Sequence, residues 1–519
     1  SDLRALGLRL AQIDTEKIIP SQDIKNLPTG EKVRLLEVAD LLVSSWEYTP
    51  ALKLLEYLRG APKDDGKFKK DDVLLLLGRA LNQLERYNEA TQVYRELLGR
   101  KPRASIQTAA RERYLMSLHF ARQYKQEANT LRQWTGKKSK PELIWNLFWV
   151  NYLSGDYEQA KKAGKSLETR LTKKQRNGTY ANALRYWAAR ILEKQNKLEK
   201  AEASYKELAE QHAESHYAVL ARWRLSLLSE KTIEPPPTLR ATSFAAHVLA
   251  FKSNPKEQTA LDLVSQLNAA GLYPFTSPFS SQIRFSSRKK SETIELAHKA
   301  LSVGKYRNAI GLVDDLGQEK LKLGLSSNAL TGWMKQRPEF WLAWFPLPYA
   351  AGVDLASKKF DVDESLLWSV ARKESVFDTT AASSVGALGL MQIMPRTAFR
   401  IAALTGDGNF SPALLMQPEV SLAYGAWYLK RLMNYYSGSE LLALAAYNAG
   451  PAAVDRWIRQ NPDLEVDEFI EDIPYDQTHD YIPKILRYRE YFHRFYNDVS
   501  FQLTDDPWLP VPNKSLEIF

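Results

Sequence analysis

From the first residues to about position 340, apolar side chains recur at intervals of three and four, and the alternation expected of strands is scarce. This pattern predicts a long succession of amphipathic helices. It also repeats itself. The cleanest unit runs from Leu74 to Pro102, with large apolar positions at Leu74, Leu77, Leu81, Tyr94 and Leu97 and small ones at Gly78 and Ala90. The small residues let two antiparallel helices approach closely, and Pro102 ends the second. A shorter signature recurs along the chain. Tyr48 precedes Ala51, Tyr157 precedes Ala160, Leu198 precedes Ala201 and Tyr306 precedes Ala309 by three residues, while Tyr124 precedes Ala128 by four. Uneven spacing between units predicts a diverged helical solenoid whose neighbouring pairs bury one another's apolar faces. Trp145, Trp149 and Trp187 lie on such faces and are read as core.

The periodicity breaks at Glu234-Pro235-Pro236-Pro237-Thr238, the best internal boundary. The chain is therefore divided into a solenoid at 1–230, a helical linker domain at 231–340, a further domain at 341–500 and a tail at 501–519. Trp341 to Tyr349, with Pro346 and Pro348, forms the entry to the third part; Pro507-Trp508-Leu509-Pro510 is expected to lie extended against a neighbouring domain. Within the third part, a helix opens at Asp363 and places Leu367, Val370, Ala371 and Glu374 at i, i+3, i+4 and i+7. An acid on an apolar face is unusual. Burial would raise its pKa toward the range useful to a general acid at neutral pH; the other reading has Glu374 reaching past the helix end into water.

After Glu374-Ser375 comes a small-residue loop, Ser383 to Gly389, and then Gly389-Leu390-Met391-Gln392-Ile393-Met394-Pro395. Farther on, a helix from about Glu440 ends at Ala446-Tyr447-Asn448-Ala449-Gly450-Pro451, and Ile473-Pro474-Tyr475 precedes Thr478-x-x-Tyr481. In this order and spacing the segments resemble the soluble lytic murein transglycosylases, whose catalytic domain is goose-lysozyme-like. The resemblance covers roughly residues 345–500. Upstream, Leu184 to Arg190 and His216 to Trp223 resemble the helical region preceding that domain in the large family members, and Leu74 to Pro102 resembles a tetratricopeptide repeat. One departure stands out: Ser421 occupies a position where relatives often carry Asn, which puts a supporting contact in question. The fold class expected is all-α: a TPR-like solenoid, linker helices and a lysozyme-like, mainly α catalytic domain.

Composition narrows the alternatives. The 519 residues exceed what one core usually holds. Cysteine is absent, which removes disulfides, thiolate metal sites and cysteine nucleophiles. Seven histidines lie scattered without ligand spacing, so no metal and no cofactor is expected. No apolar stretch is long enough to span a membrane, and the signal of an exported protein is expected to have been removed before Ser1. A formal net charge of +10 suits an anionic polymer. The basic clusters Arg170 to Arg176 and Arg288-Lys289-Lys290 are read as solvated faces, and no nucleic-acid motif accompanies them.

The resemblance implies cleavage of peptidoglycan glycan strands in the periplasm, from chain ends, at the bond between N-acetylmuramic acid and N-acetylglucosamine. Glu374 would protonate the glycosidic oxygen, then take the proton from the muramoyl C6 hydroxyl as an anhydro ring closes. Carried over with it, Ser383 and Gln392 would bind substrate or position Glu374. Met394 would pack on a sugar, and Tyr447 and Asn448 would meet the acetamido groups and the reacting centre. Glu471 and Tyr481 would line the groove. Asp378, four residues beyond Glu374, is either a second acid or a helix terminator. The repeats leave room for envelope protein partners, and a fragment beginning near residue 341 is expected to keep some cleavage but lose the preference for chain ends. Two other functions fit the same sequence: a goose-type lysozyme hydrolase, and a catalytically silent scaffold.

Overall fold

The computed structural model describes residues 19, 23–62, 64, 66–136, 139–172, 178–228, 238, 255–283, 292–497 and 501–516. The Glu234–Pro237 boundary, the Arg288–Lys290 cluster and most of the Arg170–Arg176 cluster lie outside these residues. Among the described residues there are helices and no β-strand. The chain divides into two compact units, residues 1–170 and 171–519.

The first unit contains α1 (Thr29–Ser44), α2 (Tyr48–Arg59), α3 (Lys70–Gln83), α4 (Tyr87–Gly99), α5 (Ala104–Phe120), α6 (Tyr124–Trp134), α7 (Pro141–Leu153) and α8 (Tyr157–Glu168). The recurring Tyr-x-x-Ala pattern has a geometric origin. Trp46, Glu85, Arg122 and Gly155 each take a left-handed conformation two residues before the tyrosine that opens the second helix of a pair. Ala51, Ala90 and Ala160, three residues after that tyrosine, are fully buried where the helices meet. In the imperfect copy, Glu127 occupies the alanine position and is satisfied by His119 at 3.1 Å, with Ala128 buried beside it. Gly78 is obligatory, because a Cβ there would lie 2.3 Å from the Tyr94 ring. Trp149 is buried as expected; Trp145 is only half-buried, stacked on Phe148 at 5.2 Å.

In the second unit, α9 (Thr179–Lys194), α10 (Leu198–Gln211) and α11 (His216–Leu228) continue the repeat, with Asn196 and Ala201 in the turn and close-contact positions. Next come α12 (Pro255–Ala269), the single turn α13 (Ser277–Ser280), α14 (Thr293–Ser302), α15 (Tyr306–Leu321), α16 (Ser327–Gln336) and α17 (Pro338–Trp344). The remainder holds α18 (Ala350–Phe360), α19 (Glu364–Ser375), α20 (Pro395–Thr405), α21 (Pro418–Tyr435), α22 (Glu440–Ala449), α23 (Pro451–Gln460), α24 (Val466–Glu471) and α25 (Asp476–Tyr496).

The last repeat helices are joined to this remainder by buried charge. Arg190, with no exposed side-chain surface, pairs with Asp467 and Glu465 at 2.9 Å and with Glu193 at 3.1 Å. Arg224 pairs with Glu465 at 2.6 Å, and Lys194 reaches both Glu465 and Glu468. Burial pushes the Glu465 carboxyl up, but Arg190 and Arg224 prevail and hold it down at about 2. Tyr186 donates to Asp467, and Arg222 pairs with Glu490 of α25. The tail runs extended: the Asp505 carbonyl accepts from Trp223 Nε1, and the Pro507 carbonyl accepts from the Val466 N–H. A domain cut at residue 341 would remove Tyr186, Arg190, Lys194, Arg222, Trp223 and Arg224 from these pairings.

Candidate active site

The acid sits in the last turn of α19. Asp363 opens that helix, its carboxylate accepting from Leu366 N at 3.1 Å, and Ser365, Leu366, Leu367, Ser369 and Val370 are all buried. Such a helix has little freedom to turn. It ends abruptly, because Val376 and Phe377 both adopt φ above +50°, an uncommon geometry for β-branched and aromatic residues that cluster at functional sites. Glu374 keeps a partial opening to solvent beside this turn. Burial drives its carboxyl up to about 7, while the Tyr481 hydroxyl and the Lys373 ammonium oppose part of the rise. Among the described residues no carboxylate contributes to that shift.

Two tyrosines enclose it. Tyr481, on α25, is 1% exposed, and its buried hydroxyl, with no other hydrogen-bond partner at good geometry, faces the Glu374 carboxyl. Tyr447, in the last turn of α22, is raised by burial and then by Glu374, and its hydroxyl donates to the Met391 carbonyl at 2.7 Å. Tyr428, in the stretch Gly425-Ala426-Trp427-Tyr428-Leu429, packs its ring 5.3 Å from Tyr447. Asn448 accepts from Thr478 Oγ1 at 2.8 Å, tying α22 to α25. The structure thus brings Glu374, Tyr447 and Tyr481 together, with Asn448 adjoining.

The loop after α19 is shaped by backbone pairing. Leu388 and Ile393 exchange N–H···O bonds at 3.1 Å, and Ser383 N donates to Ala387 O at 2.9 Å. Gly389 has φ +75°, and a Cβ there would lie 1.8 Å from the Leu415 carbonyl oxygen. Gln392 is also left-handed, at φ +47°; its Nε2 donates to Ala381 O and Gly389 O, leaving Oε1 as an acceptor. Ser383 accepts from Ala387 N at 2.9 Å and so braces the loop. Met394 is 39% exposed, an apolar surface at the start of α20. Ser421 is fully buried and accepts from Met391 N at 3.1 Å, so the hydroxyl supplies a supporting contact of its own.

Two of the acids have partners close at hand. Glu471 turns its carboxylate, 8% exposed, onto Trp187 Nε1 at 3.1 Å and Tyr217 OH at 2.9 Å, an anchor to α9 and α11. Its neighbours are too far along the sequence for spacing to reveal. Asp378 accepts from Thr380 N at 3.0 Å and Thr380 Oγ1 at 2.8 Å, the contacts of a turn that ends a helix. No set of acids and histidines among the described residues is disposed to hold a metal ion.

Residues 353–470, which carry this geometry, match the family described as "Transglycosylase SLT domain". A tetratricopeptide repeat matches residues 71–103, in the first unit. Over 166 residues the chain is 31% identical to the soluble lytic murein transglycosylases of Salmonella typhimurium and Escherichia coli K12, covering 32% of this chain and 26% of theirs. A putative soluble lytic murein transglycosylase of Haemophilus influenzae is 31% identical over 163 residues, covering 30% of this chain and 27% of its own. These matches span about a quarter of the relatives' length. In fold, the likeness reaches beyond the SLT domain. The 70 kDa soluble lytic transglycosylase from Escherichia coli superposes with a TM-score of 0.58 at 18% identity, over 98% of this chain and 75% of that one. An inactive mutant of lytic transglycosylase Slt from Pseudomonas aeruginosa gives 0.52 at 20% identity, over 91% and 75%. The all-α fold is therefore a known one.

Proposed function

We propose that this protein is a lytic transglycosylase that cleaves the β-1,4 bond between N-acetylmuramic acid and N-acetylglucosamine in peptidoglycan and leaves anhydro-muramoyl ends. The observation that carries this reading is Glu374: one carboxyl held near 7 between two tyrosines, in an intact SLT domain, with no second acid contributing to its titration. Paired-carboxylate glycosidases place their two acids within about 10 Å of each other, one for each role. A single acid must serve twice. At neutral pH Glu374 is divided between its two forms, so it can give a proton to the leaving oxygen and, as carboxylate, receive one from the muramoyl C6 hydroxyl. That hydroxyl belongs to the substrate, and its high effective concentration lets ring closure outrun water.

Gln392 Oε1 and the Asn448 amide would orient acetamido groups, and Met394 would pack on a sugar face. Tyr447 and Tyr481 shield the acid from water, and Ser383 braces the loop. The substrate places the protein in the periplasm, and no helix among the described residues is long and apolar enough to cross a membrane. The repeat array would meet the polymer from its ends or receive envelope partners. Mass spectrometry of digested peptidoglycan tests the reaction. Anhydro-muramoyl products are expected; reducing ends, heavier by one water, would establish a hydrolase, and no products a silent scaffold.

A further inference from the structure

Residues 501–508 make contacts that go beyond an extended path along the surface. Asp505 is 4% exposed, and its carboxylate lies at the N-terminus of α22, accepting from Ser439 Oγ at 2.5 Å, Leu441 N at 3.1 Å and Glu440 N at 3.3 Å. Ser439 already caps that helix through Leu442 N, so an added buried acid is not required for helix formation. The acid is also poorly placed as a charge: burial first, and then Glu440, push it up to about 7. What it gains is a fixed position. Tyr447 and Asn448 lie at the other end of α22, roughly 10 Å along a rigid rod. Glu440 pairs with Arg489, and Arg489 reaches Asp363, the cap of the helix bearing Glu374, at 3.4 Å. Phe501 covers the Arg489 guanidinium at 4.0 Å. The N-termini of both site-bearing helices therefore meet at one segment, itself anchored through Trp223.

We propose that residues 501–508 form a strap that sets α22 against α19, and that Asp505 is a positioning residue for Glu374 and Tyr447. The proposal rests on the function given above. Its test uses the full chain and soluble glycan strands. In Asp505→Ala, kcat should fall on the order of ten-fold with KM changed by less than about two-fold, because a misaligned site loses rate before binding. Asp505→Asn keeps an acceptor oxygen and should restore most of the rate. An unchanged kcat, a loss confined to KM, or no rescue by asparagine overturns the proposal. If the alanine variant does not fold, Trp223→Phe decides: it frees the strap's carbonyl, and a kcat equal to wild type overturns the idea while a lower one supports it. If the wild type cleaves no glycan, the functional reading fails first. The Glu374 titration, followed as the carboxyl infrared band missing from Glu374→Gln, then decides. With Lys373, Tyr447 and Tyr481 facing it, that group should titrate lower in Asp505→Ala as water enters, and an unmoved titration overturns the strap.

Discussion

Glu374 has a folded pKa near 7 against an ordinary 4.5, so the native state binds its proton more tightly than the unfolded chain does. Below the unfolded value both states are protonated and stability is highest. Between about 4.5 and 7 the unfolded chain ionises first, stability declines, and above the folded value it levels off. The full difference is on the order of 3 kcal/mol. Glu374→Gln should abolish glycan cleavage and leave the melting temperature at pH 7.5 unchanged or higher. A lower melting temperature with cleavage retained would show a structural acid. Tyr481→Phe removes the hydroxyl that favours the carboxylate, so the limb of the kcat/KM–pH profile assigned to Glu374 should move upward. The i, i+3, i+4, i+7 spacing made the acid's place on an apolar face legible, and the motif after it, not the spacing, singled it out. Its two tyrosines were not legible in this way, because they arrive from helices more than seventy residues away and only the family resemblance pointed to them.

At the scale of elements, one glycine in the site loop is constrained by space and the other by backbone angle alone. Gly389→Ala drives a Cβ into the Leu415 carbonyl as well as straining φ, and should lower stability by more than about 2 kcal/mol. Gly386 has φ +90° and open space around it, so Gly386→Ala should be milder, about 1 kcal/mol. Thermal melts of the two variants, compared side by side, check the order. The repeat helices show the same division between what residue type reveals and what it hides. Tyr-x-x-Ala was readable because burial selects alanine where helices touch. The left-handed residue two places earlier was not, since Trp46, Glu85, Arg122 and Asn196 share no side-chain property. There the turn is imposed by packing of the helices on either side.

At the scale of the whole molecule, the buried charge at α9 and α11 bears on whether a fragment from about residue 341 can keep some cleavage. Such a fragment would leave Glu465, Asp467, Glu468 and Glu490 buried without Arg190, Lys194, Arg222 and Arg224. It should fail to unfold cooperatively in a melt, and Arg190→Ala in the full chain should cost about 3–5 kcal/mol. Sequence alone hid this, because charged residues nearly 280 positions apart carry no periodic signal of their pairing. The strap has a consequence in time. Translation runs from the N-terminus, and Asp505 emerges after Glu374, Tyr447 and Tyr481. Until it does, a nascent chain holds the groups of the centre in loose register, so the full cutting rate is expected only once synthesis has passed that aspartate.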